Sequence, residues 1–127
     1  MIKNCLILNI VGKDDKIGLK IENNLYIKKF PNSIKNNEVL VNSITNFIKQ
    51  KEINIDKNFS ILVNVGPGSF SGIRISLAVA KGIKISRGCD LYGYKSSDLE
   101  EFNLKNIELL ITKNLLENKL IKPLYIS

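Results

Sequence analysis

The sequence predicts an α/β domain: a mixed sheet, antiparallel over its first three strands, with helices packed on it. Three observations predict it. Residues 5–30 read as three strands separated by two tight turns. Two later stretches, Leu40 to Ile48 and Ile73 to Ile85, repeat their apolar residues at helical spacing. Short apolar runs alternate with those helices, which places strands between them.

The elements follow in order. Cys5 to Val11 is an apolar run and the first strand. Gly12 to Lys16 makes a turn. Ile17, Leu19 and Ile21 then alternate with Gly18, Lys20 and Glu22, as a half-buried strand requires. Asn23-Asn24 turns the chain into a third strand, Leu25 to Phe30, and completes an antiparallel meander. After Pro31, Asn36 or Asn37 can cap a helix whose first turn holds Glu38. Leu40, Ile44, Phe47 and Ile48 form its apolar stripe, and it fades near Gln50 to Glu52.

Phe59 to Val65 is apolar at nearly every position, so it is expected as a central strand buried on both faces. A glycine turn leads into a helix from about Gly72 to Arg87, and Asp90 to Tyr94 is a short fifth strand. Ser96 or Ser97 can cap a short helix over SSDLEEF, with Glu100 near the capping-box position. Further on, Ile107 to Thr112 reads as a strand, Lys113 to Lys119 as a helical turn or two, and Pro123 to Ile126 as a terminal strand. The order β-β-β-α-β-α-β-α is that of a ribonuclease-H-like half of an actin-like ATPase fold.

Composition excludes several chemistries. The 127 residues suffice for one domain with a core of its own. There is no histidine, which removes HExxH zinc helices, Ser-His-Asp triads and Cys-His pairs. Cys5 and Cys89 form no CxxC and read as reduced structural cysteines of a cytoplasmic protein. The apolar run at the N-terminus is too short to span a bilayer, so no membrane role is expected. The formal charge of +7 is spread along the chain, which suits a solvated surface or one that meets RNA or an acidic partner.

The stretch NVGPGSFSGIRISLAVAKG, residues 64–82, has the strand–glycine turn–helix form of a phosphate cradle. It fits neither template for one. Ser71 and Gly72 stand where a Walker A loop has Gly and Lys, and the glycines are spaced GxGxxxG rather than GxGxxG. The plain alternative is a tight connection in which glycine allows positive φ and close backbone approach. The helix beyond is apolar almost all round, with Arg74, Lys81 and Lys84 on its polar stripe and Ala78, Gly82 and Ser86 in a row of small residues. Such a helix is buried on more than one side, against a partner or against a helix of its own chain.

VGPGSFSGIRISLAVAKG closely resembles the signature of the TsaB (YeaZ) family, approximately GPGSFTGLRIGLATAKGL. Asn37-Glu38-Val39-Leu40 falls where that family has HSERL, LYGYKSSDLEEF is similar to its G-V-S-S-L-E-A segment, and KPLYIS to its P-x-Y-[LV]-R ending. The resemblance implies an actin-like domain over residues 1–102 and a shortened remnant of the second half, packed as a tail, over 103–127. It also implies a part in making the threonylcarbamoyl modification of adenosine 37 in tRNA.

Two departures limit what carries over. Val11 stands where the family's I-L-A-I-D-T-S has its aspartate, and the histidine of the helix-opening segment is absent. The expectation is therefore a non-catalytic scaffold with no catalytic residue, cofactor or metal ligand, and without the peptidase activity that older names of the family suggest. It would bind a TsaD-like catalytic subunit as a heterodimer, with a homodimer open when that partner is absent and tRNA contact made through the complex. The expected interface is Glu38, Leu40, Ile44 and Phe47 with Gly66, Pro67, Gly68, Ser69, Phe70, Ser71, Gly72, Arg74, Ala78, Lys81 and Gly82. The alternatives are a small nucleotide-binding enzyme of the actin-like fold, and a homodimeric or RNA-contacting protein with another role.

Overall fold

The computed structural model describes residues 2–32, 34 and 36–118. Its elements are β1 (Cys5–Asn9), β2 (Lys16–Ile21), β3 (Asn24–Lys29), α1 (Asn37–Gln50), β4 (Ser60–Asn64), α2 (Phe70–Arg87), β5 (Asp90–Tyr94) and α3 (Leu104–Thr112), with a single 3-10 turn at Ser96–Asp98. The five strands form one sheet in the order β3-β2-β1-β4-β5. The meander pairs antiparallel, with Leu6 opposite Leu19 and Gly18 opposite Ile27. β1, β4 and β5 run parallel, with Ile7 beside Leu62 and Leu62 beside Tyr92.

Strand alternation divides the interior in two. Leu6, Leu8, Ile17, Leu19, Ile61 and Val63 face one side, where α1 and α2 cover them. Cys5, Ile7, Leu62 and Tyr94 face the other, where Ile107 and Leu110 of α3 close a smaller core. β4 is buried along its whole length, as its unbroken apolar run requires. Asn36 caps α1 by accepting a hydrogen bond from the Val39 amide (2.9 Å). Leu40, Ile44 and Phe47 are the buried stripe of that helix; each such side chain contributes about 1.5–3 kcal/mol. The one buried lysine of the sheet, Lys20, donates from Nζ to the carbonyls of Lys3 and Glu22 (2.8 Å each), which meets part of its desolvation cost.

The structure departs from these expectations in the last part of the chain. Ile107 to Thr112 is helix, not strand: Asn103 caps it at the Asn106 amide (2.8 Å), and Ile107 and Leu110 turn inward together. The helical turn expected from Lys113 stops at Asn114, and Glu117 instead pairs with Gly93 beside β5. The SSDLEEF helix shrinks to Ser96–Asp98 because the Ser96 hydroxyl is spent elsewhere. Pro123 to Ile126 lies outside the described residues. Among the described residues no helix is long and apolar enough to cross a membrane.

Candidate functional site

The glycine turn sits at the carboxyl ends of β1, β4 and β5, and polar side chains from all three strand ends hold it. Asn64 ends β4. Its Nδ2 donates to Asn9 Oδ1 at the end of β1 (2.8 Å), and its Oδ1 accepts from the Gly66 amide (2.8 Å) and from Ser96 Oγ (3.0 Å). The Tyr94 hydroxyl, from β5, reaches the same Asn9 oxygen (2.9 Å). Burial pushes the Tyr94 phenol well above its usual range, so it is a proton donor here and not a phenolate. Ser96 Oγ also reaches the Pro67 carbonyl (3.1 Å), and the Ser96 amide donates to the Gly66 carbonyl (2.8 Å).

The glycines serve close approach. Gly66 has φ 105, a conformation that side chains resist. A Cβ on Gly68 would lie 2.7 Å from the Cβ of Val11, and one on Gly72 would lie 2.7 Å from the Ile10 carbonyl oxygen. The turn is thus pressed onto the chain leaving β1, and the Ser69 amide donates to the Val11 carbonyl (2.8 Å). Ser69 caps α2, with its hydroxyl 3.5 Å from the Gly72 amide. The helix therefore starts at Phe70, earlier than its periodicity indicates. The amides of Gly66, Ser69 and Gly72 all point to partners within the chain. Those three amides serve the fold, whereas a phosphate cradle needs several turned outward together.

Val11 packs where the family pattern has an acid. A carboxylate does lie nearby: Asp15, only 4% exposed, accepts at Oδ1 from the amides of Val11 (3.0 Å) and Gly12 (2.8 Å). It ties the β1–β2 loop together. Its Oδ2 is buried without a hydrogen-bond partner among the described residues. The sequence presents this loop as a plain turn and does not single out Asp15; its spacing from Gly12 within the turn is the one signal of its part. Among the described residues no group of three or more Cys, Asp and Glu is placed to hold a metal ion.

Beyond the turn, α2 shows two sides. Ile73, Ile75, Leu77, Val79 and Ala80 are buried against the sheet and α1. Phe70, Ser71, Arg74, Ala78, Lys81, Gly82 and Ile85 are exposed, and at 3.6 residues per turn they form one outward stripe. Phe70 is 52% exposed, with the Arg74 guanidinium 5.8 Å from its ring. Ile85 is 84% exposed. Between α2 and α1 runs a groove of about 800 Å³, lined by Val41, Ile44, Thr45 and Ile48 on one side and Ala78, Val79, Gly82, Ile83 and Ser86 on the other. A Cβ on Gly82 would meet nothing within 4 Å.

The expected interface residues thus fall into two sets. Glu38, Pro67, Phe70, Ser71, Arg74, Ala78, Lys81 and Gly82 are at the surface, and Ser69 is half-buried. Leu40, Phe47, Gly66, Gly68 and Gly72 are buried and hold the surface set in place from beneath; Ile44 is buried and floors the groove. The helix that the sequence presents as apolar almost all round finds its internal neighbour in α1 and the sheet, and its outward stripe remains open.

Strand order 3-2-1-4-5, with two helices on one face and one on the other, defines the ribonuclease-H-like half of an actin-like ATPase fold. Solved structures share it. The chain superimposes on YeaZ from Pseudomonas aeruginosa with a TM-score of 0.66 at 16% identity, over 74% of this chain and 44% of that one. An uncharacterized protein with similarity to peptidase YEAZ, also from Pseudomonas aeruginosa, gives a TM-score of 0.65 at 16% identity over the same shares. The fold is therefore that of YeaZ, and this chain spans less than half the length of those two proteins. No family profile and no curated protein matches the sequence.

Proposed function

We propose that this chain is a non-catalytic scaffold subunit in the threonylcarbamoyl modification of tRNA adenosine 37, working in the cytoplasm. It binds a TsaD-like catalytic subunit as a heterodimer, and tRNA meets the complex rather than this chain alone. The observation that carries the reading is the open groove between α1 and α2, on the helix that bears the family-like motif. Exposed Phe70, Val41 and Ile85 beside it are apolar surface of the kind partner proteins cover. The turn then acts mechanically. Asn64, Ser96 and the close glycines fix where α2 starts, and so where its outward stripe points.

Reconstitution tests this. The purified chain is mixed with the TsaD-like subunit of the same cell, and complex formation is followed by size-exclusion chromatography with light scattering. A stable one-to-one complex that restores threonylcarbamoyl transfer is expected. Failure to form any complex overturns the reading. The nucleotide-enzyme alternative is separated by titrating the isolated chain with magnesium and ATP, where the scaffold reading expects no binding heat and no turnover.

A further inference from the structure

The two edges of the sheet end differently. β5, at one edge, is met by Glu117, whose amide donates to the Gly93 carbonyl (2.9 Å) and whose carbonyl accepts from the Gly93 amide (2.7 Å). β3 is the other edge. Its register fixes which of its backbone groups β2 uses. The Phe30 amide donates to the Asp15 carbonyl (2.9 Å), one step beyond the Lys16–Lys29 pair. Bonded and unbonded pairs alternate along an antiparallel ladder. Phe30, Lys28, Tyr26 and Asn24 therefore bond to β2, and the amides and carbonyls of Leu25, Ile27 and Lys29 point outward. Among the described residues nothing bonds to them there.

The side chains along this edge are cationic and apolar. Lys28 and Lys29 are both exposed and put one cation on each face. On the α3 side Lys16 stands opposite Lys29, a like-charged cross-strand pair. On the α1 side Lys51 lies over the Tyr26 ring, 4.4 Å from its centre. No acidic residue occurs from Asn23 to Phe30, and the exposed Asp14 and Glu22 lie beyond the two ends of β2. Ile27, 41% exposed, continues an apolar strip with Leu25 and with Phe102, whose ring lies over Gly18.

We infer that β3 takes an added antiparallel strand from a different chain, in which two consecutive acidic residues precede alternating apolar ones. The acidic pair stands opposite Lys29 and Lys28, and the apolar residues stand opposite Ile27 and Leu25. Main-chain bonds to Leu25, Ile27 and Lys29 hold the strand. Its first carboxylate relieves the repulsion between Lys16 and Lys29. A second copy of this chain is the poorer occupant, because its β3 brings two more lysines and no carboxylate within the strand. RNA phosphates answer the cations and leave the apolar strip uncovered. This surface is not the groove between α1 and α2, and the inference stands whether or not the chain is a scaffold subunit.

The test uses fluorescent peptides of about nine residues, with the core Glu-Glu-Val-Thr-Val in one and Lys-Lys-Val-Thr-Val in the other. Anisotropy with the full chain at low salt should show the acidic peptide binding about tenfold tighter, with the gap closing as salt rises. N-methylation separates strand pairing from plain charge attraction. In the proposed register the two Val amides face β3, while those of the second Glu and the Thr face away. Methylating the Val amides should weaken binding at least about tenfold, and methylating the other two should leave it unchanged. The double variant Lys28→Glu, Lys29→Glu changes only exposed side chains, circular dichroism checks its fold, and it should reverse the charge preference. Equal binding of the acidic and basic peptides, binding of neither, or equal tolerance of both methylation patterns overturns the inference. So does oligouridine that binds more tightly and displaces the acidic peptide. Dimers of the isolated chain that dissociate on Ile27→Pro, which removes an outward amide and no bond to β2, overturn it as well.

Discussion

Gly72 and Gly82 stand on the same helix and do opposite things. A methyl group on Gly72 would run into the Ile10 carbonyl oxygen at 2.7 Å; on Gly82 it would enter open space. The first glycine lets the start of α2 lie against the strand end. The second keeps the outward stripe flat, so that another helix can come close. Nothing in the local sequence separates them, since both sit among apolar residues in one continuous motif. What separates them is what each faces: backbone in one case, solvent in the other. The same contrast runs through the whole motif: Asn64, Gly66, Gly68, Gly72, Ile75 and Val79 build the domain, while Phe70, Arg74, Ala78, Lys81 and Gly82 are presented.

Substitutions at the two glycines should break that comparison most sharply at Gly72. Gly72→Leu forces a large side chain into backbone that cannot retreat, and Gly72→Ala alone should cost about 1–3 kcal/mol. Urea unfolding of the Ala variant measures it, and the Leu variant is expected not to fold. A Gly72→Leu protein with a normal melt would show that the contact yields.

Alkaline pH probes the built part next. Burial pushes the Cys5 thiol up to about 12 and raises the Tyr94 phenol well above its ordinary value near 10. Both groups keep a proton in the folded state that the unfolded chain gives up. Their contribution is therefore complete below about pH 9 and is lost as pH climbs toward the folded values. Denaturant midpoints taken from pH 8 upward should fall steadily. Tyr94→Phe should flatten the upper part of that fall, while Gly82→Leu should leave the slope alone.

Asn64→Ala removes the side chain that joins the ends of β1, β4 and the turn. It leaves the Gly66 amide without its acceptor, at about 1–3 kcal/mol, and leaves the Ser96 hydroxyl with the Pro67 carbonyl alone. A wild-type midpoint in the variant would mean that the network is decoration. Gly82→Leu should have the smallest effect on stability. Replacing glycine in a helix interior where there is room gains up to about 1 kcal/mol, so its melting temperature should hold or rise.

Much of the fold is legible in the sequence because its strands and first two helices bury regular stripes. Ile17, Leu19 and Ile21 alternate, and Leu40, Ile44 and Phe47 recur at helical spacing; each pattern has one interpretation. The segment Asn103 to Thr112 has two. Its run of Ile and Leu suits a strand, while Asn103 as a cap and Ile107 with Leu110 suit a helix, and a second face of the sheet left bare by α1 and α2 decides for helix. The network of Asn9, Asn64, Tyr94 and Ser96 is not legible at all. Asn9, Asn64 and the Tyr94–Ser96 segment are far apart in the chain and meet only because β1, β4 and β5 are parallel neighbours whose ends coincide. The site is half legible. The motif marks the helix, but only packing shows that Gly66, Gly68 and Gly72 serve the interior while Arg74, Ala78, Lys81 and Gly82 face out.

The most direct test of the presented face is a calorimetric titration of the TsaD-like subunit into the wild-type chain and into Gly82→Leu. The wild-type chain should bind, and the variant should lose at least about tenfold in affinity, or ~1.4 kcal/mol, while its melting temperature stays at or above that of wild type. Equal affinity for both proteins would contradict the assignment of this stripe to a partner and would move the interface away from α2.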